Sequence, residues 1–226
     1  MKKKILIVVA HTDDETFGLG GTIAKHAKNK DKIFAMSFTD GVSSRDKNKL
    51  LRKNRLVAAK KAENILGFKW VKNLQMPDNQ LDTVSLLSIV KEIEKVKNNI
   101  KPNLVYTHFS SDLNIDHQII SRATLTAFRP ETKDKSFELR FFEVPSSTDF
   151  GFYKLKNSFK PNLYICINNF WKKKEKAIKC YKNEIKKKPH SRSLYGIKNL
   201  ARYRGSIVGK KYAEAFEIVR KTVIWN

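Results

Sequence analysis

Apolar positions in the first half of the chain fall in short runs separated by longer amphipathic stretches. Ile5-Leu6-Ile7-Val8-Val9 is an unbroken apolar run, the pattern of a parallel strand covered on both faces. A helix is predicted from about Gly20 to Lys28, then a strand over Ile33–Phe38. Asp46 to Leu66 reads as a long helix with Leu51, Val57, Ala58, Ala62 and Ile65 on one side, and Gly67 suits its C-terminal cap. A short strand around Trp70–Val71 follows, then a helix opening at Leu81-Asp82-Thr83 and reaching about Ile100. Leu104–Thr107 reads as a strand and Asp116–Ala127 as a helix. The last third is less regular. Arg140–Val144 and Leu163–Ile167 are strand-like; Phe170–Lys187 and Ser193–Val208 are helix-like, joined by Pro189-His190-Ser191-Arg192.

This alternation predicts an α/β fold, a mostly parallel sheet with helices on both faces, within a single domain over residues 1–226. Such sheets carry their active sites at the carboxyl ends of the strands. Two polar clusters follow strands directly: His11-Thr12-Asp13-Asp14-Glu15, and the stretch from His108 to His117.

Three acids and a histidine within five residues repel one another and lose solvation in a cleft. A bound divalent cation relieves both costs, and the histidine points to zinc or another first-row metal rather than magnesium or calcium. The competing reading is a helix cap with surface acids. His117, preceded by Asp116 and also just past a strand, tips the balance toward a metal. A catalytic zinc site uses three protein ligands and one open position; His11, Asp14 and His117 supply that count. Asp13 is left to act as a base toward the activated water.

Ala10-His11-Thr12-Asp13-Asp14-Glu15 resembles the AHPDDE signature of the PIG-L/LmbE-like N-acetylglucosaminyl deacetylases, and Asp112-Leu113-Asn114-Ile115-Asp116-His117 resembles that family's second motif. Thr39-Asp40-Gly41, Arg55 with Ala62 and Leu66-Gly67, and Gly205…Gly209…Tyr212-Ala213-Glu214-Ala215-Phe216 extend the likeness over nearly the whole chain. The resemblance implies a Rossmann-like sheet, zinc on His11, Asp14 and His117, Asp13 as general base, and hydrolysis of an acetamido group on an N-acetylglucosamine-type sugar or glycoconjugate. It implies that Arg55 contacts substrate, and His108 and Asp112 are placed with it. Asp13 itself, His108, Asp112 and His190 are candidates for returning the proton to the amine. His190 fits equally well as the start of a helix. Two residues depart from the family pattern. Thr12 replaces a proline, with an effect expected on loop rigidity only. Asn114 stands where many members carry a histidine that assists the tetrahedral intermediate; it is either a replacement donor or a helix cap.

Composition adds a charge of +24, supplied by 46 basic residues of which ten are arginine. This surface would suit a phosphorylated or nucleotide-linked sugar, or it is a solvated lysine coat without function. A basic module binding nucleic acid or an anionic surface, without catalysis, is the rival reading; it leaves both polar clusters unexplained. No arginine-rich arm or interleaved aromatic stack supports nucleic-acid binding. Gly18-Leu19-Gly20-Gly21 suggests a dinucleotide loop, but the spacing fails at Ile23 and three acids precede it; close helix–sheet packing is the better account. Cys166 and Cys180 form no metal or disulfide pattern, which fits a reducing cytoplasm. No apolar run approaches the ~20 residues of a membrane span.

Overall fold

The computed structural model describes residues 2–44, 49–131, 136–151 and 158–224. Strands β1 (Lys4–Val9), β2 (Lys32–Thr39), β3 (Lys69–Met76), β4 (Leu104–His108), β5 (Phe137–Phe142), β6 (Leu163–Cys166) and β7 (Ala213–Thr222) form one sheet in the order β3-β2-β1-β4-β5-β7-β6. The first five run parallel, and β7 lies antiparallel between β5 and β6. The helices are α1 (Asp14–Lys28), α2 (Lys49–Leu66), α3 (Leu86–Ile100), α4 (Ile115–Ala127), α5 (Trp171–Ile178) and α6 (Leu194–Ser206).

The expected layering is present. Ile5, Ile7 and Val9 of β1 pack into one core with residues of α1, α2, α5 and α6, whereas Leu6, Val8 and Ala10 pack into another with residues of α3 and α4. All six side chains are fully buried, which is why β1 needs an apolar residue on both faces. β1 pairs with β2 on one side and β4 on the other, so the connection reverses direction between β1 and β4. The crevice at such a reversal is where open α/β sheets bind ligands.

Several elements differ from the expected bounds. The helix expected near Gly20 is the second part of α1, which begins at Asp14 and kinks at Leu19. Glu214 explains the restart: its carboxylate accepts the Gly21 N–H at 2.9 Å and the Thr22 N–H at 2.6 Å, and buried Lys174 balances its charge at 2.6 Å. The start of α2 at Asp46 lies outside the described residues. β3 is longer than expected, an edge strand whose side chains alternate between exposed and half-buried. Leu81–Thr83 is a separate 3-10 turn before α3. The helix expected over Phe170–Lys187 stops at Ile178, because Tyr181 turns inward to Glu15 and Glu184 to Arg55. β7 was not anticipated from the pattern.

The glycines after β1 do serve close packing. A Cβ on Gly18 would lie 2.4 Å from the Phe142 ring and 2.9 Å from the Glu143 carbonyl oxygen; one on Gly21 would lie 2.7 Å from Ile167. Gly18→Ala is therefore expected to destabilise the protein by about 1–3 kcal/mol through overpacking, read from urea unfolding midpoints. An unchanged midpoint would show that α1 can move off the sheet at no cost.

Candidate metal centre and active site

The loops at the carboxyl edge of the sheet meet in one buried cluster. The turn after β1 brings His11, Thr12 and Asp13, and α1 opens with Asp14 and Glu15. The turn after β3 brings Asp78. The loop after β4 and the first turn of α4 bring Asp112, Asn114, Asp116 and His117.

The His11 ring faces two ways. Its Nδ1 lies 3.2 Å from Asp14 Oδ2 and 3.2 Å from His117 Nε2, and those two atoms are 3.3 Å apart. One ligand atom from each of His11, Asp14 and His117 lies within 4.8 Å of the others. Two imidazole nitrogens and a carboxylate suit a tetrahedral first-row ion such as zinc. The far nitrogens carry the support such ligands need. His11 Nε2 lies 3.0 Å from Asp78 Oδ1 and 3.3 Å from Asp116 Oδ2, and His117 Nδ1 lies 3.2 Å from Asp112 Oδ1. His11, Asp78 and Asp116 form a second group within the same span. Those two acids are already committed: Asp116 accepts the N–H groups of Asn79 and Leu81, and Asp78 accepts the Ser44 hydroxyl. They fit best as the orienting carboxylates of His11.

Electrostatics agrees with the donor set. Burial pushes the Asp14 carboxyl up, but His117 and His11 outweigh it and hold it well below the usual range. Burial pushes His117 down, and Asp14 and Asp112 outweigh that, taking it up to about 9. His108 moves the other way: burial and the neighbouring His117 hold it well below its ordinary value, so it is neutral.

Asp13 has different neighbours. Arg55 Nη2 lies 2.9 Å from its Oδ1, and Arg192 donates Nη2–H to its Oδ2 at 2.7 Å. The Arg55 contact is close but out of line for a hydrogen bond, so Oδ1 keeps an unsatisfied lone pair. Burial raises the carboxyl above its ordinary value despite the two guanidiniums. Its φ of 145° is a strained conformation for a residue with a side chain. Arg55 is seated against Gly41, where φ is +64° and a Cβ would come within 2.5 Å of Nε. It also donates Nε–H to Thr12 Oγ1 at 3.2 Å, an acceptor that a proline there would lack. The effect of Thr12 thus reaches beyond loop rigidity. Arg55 further lines an adjoining cavity of about 500 Å³ with Val42, Leu51, Ala58, Lys61 and Tyr181.

The structure brings His11, Asp13, Asp14, Arg55, His108, Asp112 and His117 together, whereas Asn114, His108, Asp112 and His190 are placed differently from their expected roles. Asn114 is the N-cap of α4: its Oδ1 accepts from Asp116 N at 2.8 Å and His117 N at 3.3 Å, and its Nδ2 donates to Asn79 at 2.9 Å. The amide oxygen and one of the two Nδ2–H groups are engaged, which favours the cap reading over the donor one. His108 is fully buried; its Nε2 accepts the Ala10 N–H at 2.9 Å, and its ring stacks on His117 at 3.8 Å. Asp112 is held by Ser147 and Thr148 and faces His117. Both are buried against His117, a placement that suits orienting the ring better than meeting substrate. His190 meets the site through Arg192: its Nδ1 accepts the Arg192 N–H at 3.0 Å, and its ring meets Phe150 at 5.9 Å.

Asp78 and Arg192 were missed as site residues. An acid straight after β3 obeys the same rule that singled out His11, so Asp78 could have been found. Arg192, 179 residues beyond Asp13, carried no local signal.

Residues 6–128, more than half the chain, match the family model described as PIG-L: GlcNAc-PI de-N-acetylase. The chain is 25% identical over 232 residues to a diacetylchitobiose deacetylase of Thermococcus kodakarensis, covering 96% of this chain and 83% of that relative. Among solved structures it resembles the N,N′-diacetylchitobiose deacetylase of Pyrococcus horikoshii in complex with an inhibitor (TM-score 0.78, 19% identity, 96% of this chain and 84% of that one). It also resembles GalB, the 4-carboxy-2-hydroxymuconate hydratase of Pseudomonas putida KT2440 (TM-score 0.77, 21% identity, 100% and 99%). These two likenesses establish the fold. Their different chemistries leave the activity to be argued from the site.

Two measurements test the donor set. Asp112→Asn should weaken zinc binding by roughly 10–100-fold by loosening His117. In the unsubstituted protein, zinc affinity should rise with pH up to about 9, because the proton on His117 must leave before the ring can bind metal. Calorimetric titration at several pH values reads both; affinity flat over that range would remove His117 from the ligand set.

Proposed function

The chain belongs to the PIG-L family of GlcNAc-PI de-N-acetylases, and from that premise we propose that it is a zinc-dependent hydrolase removing the acetyl group from an N-acetylglucosamine-type sugar. The observation that carries this reading is the convergence of His11, Asp14 and His117, each histidine backed by a carboxylate, beside an Asp13 with an unsatisfied oxygen.

His11, Asp14 and His117 would hold the ion. A divalent ion there acidifies a water, taking its pKa from ~15.7 toward ~7, and polarises the acetyl carbonyl. Asp13 Oδ1 accepts the proton of the attacking water, and its raised carboxyl suits that task. The same oxygen then hands the proton to the amine nitrogen as the C–N bond breaks, leaving acetate and the free amino sugar. Arg55 and Arg192 hold the carboxylate from both sides. Arg192 Nε–H is buried without a partner and is a donor for the substrate. The cavity beside Arg55 receives the group attached to the sugar, and Lys61 and Lys182 on its wall favour an acidic one such as a phosphate.

Residues 1–226 act as one domain in this reading. Beyond the matched stretch, the chain adds β5, β6 and β7 to the same sheet and delivers Glu184 to Arg55 and Arg192 to Asp13. Among the described residues, no helix is long and apolar enough to cross a membrane. A basic binding module without catalysis is not favoured, because it gives the buried cluster no role.

The first test is acetate release from N-acetylglucosamine, N,N′-diacetylchitobiose, N-acetylglucosamine 1-phosphate and UDP-N-acetylglucosamine by zinc-loaded protein. No release from any of the four, with 4-carboxy-2-hydroxymuconate hydrated instead, would overturn the reading. Phosphorylated substrates should lose kcat/KM as salt rises while neutral ones do not. Asp13→Asn should keep its zinc and lose roughly 10²–10⁴ in rate; near-normal turnover would pass the base to another group.

A further inference from the structure

We propose that the segment Tyr181–Glu184 is the positioning element of the base, acting on Asp13 through its backbone and its side chain at once. The proposal rests on the reading of Asp13 as the base.

The backbone of Asp13 needs an external hold. A φ of 145° lies in a sparsely populated region that persists only where neighbours enforce it. The enforcing contact is the Asp13 N–H, which donates to Glu15 Oε2 at 2.9 Å. Glu15 is fixed in turn through its other oxygen, which accepts the Thr16 hydroxyl at 2.6 Å and the Tyr181 hydroxyl at 3.1 Å. Thr16 belongs to the same helical turn, so Tyr181 is the anchor that ties Glu15 to a distant part of the chain. Its ring is buried and lies 6.4 Å from Phe17.

The side chain of Asp13 is held by the same segment. Arg55 reaches Asp13 with Nη2 and donates Nη1–H to Glu184 Oε1 at 2.6 Å. A guanidinium is planar, so fixing one amino group on Glu184 fixes the direction of the other. Gly41 and Thr12 limit where Arg55 can sit, and Glu184 sets the rotation that remains.

The chain departs from helix to make these contacts. α5 ends at Ile178, and a short 3-10 turn, Lys182–Glu184, carries the carboxylate to Arg55. Tyr181 and Glu184 thus converge on Asp13 from two sides, and neither touches His11, Asp14 or His117 in any described contact. They are positioning residues. A misplacement of about 1 Å at a reacting group can cost about a hundredfold in rate, so the loss should appear in turnover rather than in binding.

The experiment uses zinc-loaded full-length protein, acetate release from N,N′-diacetylchitobiose, and crystal structures of the variants. Tyr181→Phe and Glu184→Ala should each lower kcat about tenfold or more with zinc content unchanged, a loss larger than any change in KM that follows from their place on the cavity wall. Glu184→Gln, which keeps an acceptor for Arg55, should recover most of that loss. In an Asp13→Asn background neither change should cost anything further, because both act through Asp13. The crystal structures give a readout independent of substrate: Asp13 φ should leave the region of 145° in Tyr181→Phe, and the Arg55 guanidinium should rotate in Glu184→Ala. Parent-like kcat and an unmoved Asp13 in both variants, with only a lower unfolding temperature, would reduce the segment to packing and overturn the proposal. Equal losses with and without Asp13 would also overturn it. An Asp13→Asn protein that still turns over would instead defeat the assignment of the base, and the proposal with it. An inactive Asp13→Asn protein beside fully active segment variants would defeat the proposal alone.

Discussion

Everything at the carboxyl edge of the sheet depends on burying six carboxylates within reach of one another. Asp13, Asp14, Glu15, Asp78, Asp112 and Asp116 are each almost wholly out of water. An isolated buried carboxylate is costly, and like charges add to that cost. The protein answers with partners for each. His11 and His117 serve Asp14, Asp78, Asp112 and Asp116; Arg55 and Arg192 serve Asp13. Glu15 has no cation, and burial pushes its carboxyl up to about 7. A divalent ion between the two histidines and Asp14 would add the charge that this acidic edge lacks.

The fold is arranged around that concentration of charge. β1 and β4 are neighbours, so His11 and His117 approach within hydrogen-bond distance although 106 residues separate them. Gly18 and Gly21 let α1 lie directly on the sheet, which brings Asp14 to the head of β1 rather than a side chain's width above it. The Asn114 cap fixes the first turn of α4 and with it His117. An ordinary capping interaction worth about 1 kcal/mol thereby aims a metal ligand. Sheet order, close packing and capping each deliver one member of the same donor set.

Much of this was legible in the sequence because it is local. A buried apolar run, an acid–histidine cluster straight after it and a second cluster after another strand identify the sheet edge and the ligand set without coordinates. What could not be read is what arrives from far along the chain. Arg192, Tyr181 and Glu184 reach Asp13, Glu15 and Arg55 from 129 to 179 residues away, and nothing in a Tyr-Lys-Asn-Glu stretch distinguishes it from one more turn of a lysine-rich helix. β7 escaped notice for a related reason. Ala213–Thr222 mixes acids and bases with small apolar residues, since it pairs antiparallel on both sides and is only partly buried. Residue type also misled. The sequence offers His108 and Asp112 as substrate contacts, whereas in the structure both are buried against His117.

Asp13 and Asp14 show how neighbours rather than residue type assign a role. They are consecutive and chemically identical, and both are buried. Asp14 faces two imidazoles, which hold its carboxyl well below the usual range. A carboxylate held in its charged form between two imidazoles fits the proposed role of metal ligand. Asp13 faces two guanidiniums, whose charge is delocalised over a plane, and one of them is out of line for a hydrogen bond. Burial therefore outweighs them, and its carboxyl rises. A carboxylate with a raised affinity for protons and an unsatisfied oxygen fits the proposed role of base. The strained backbone at Asp13 turns the two side chains to these different surroundings. A relaxed helical φ at residue 13 would point its carboxylate elsewhere and leave two acids competing for the same cations, with neither role filled. The strain is thus part of the division of labour, and the contacts that maintain it belong to the active site as much as the ligands do.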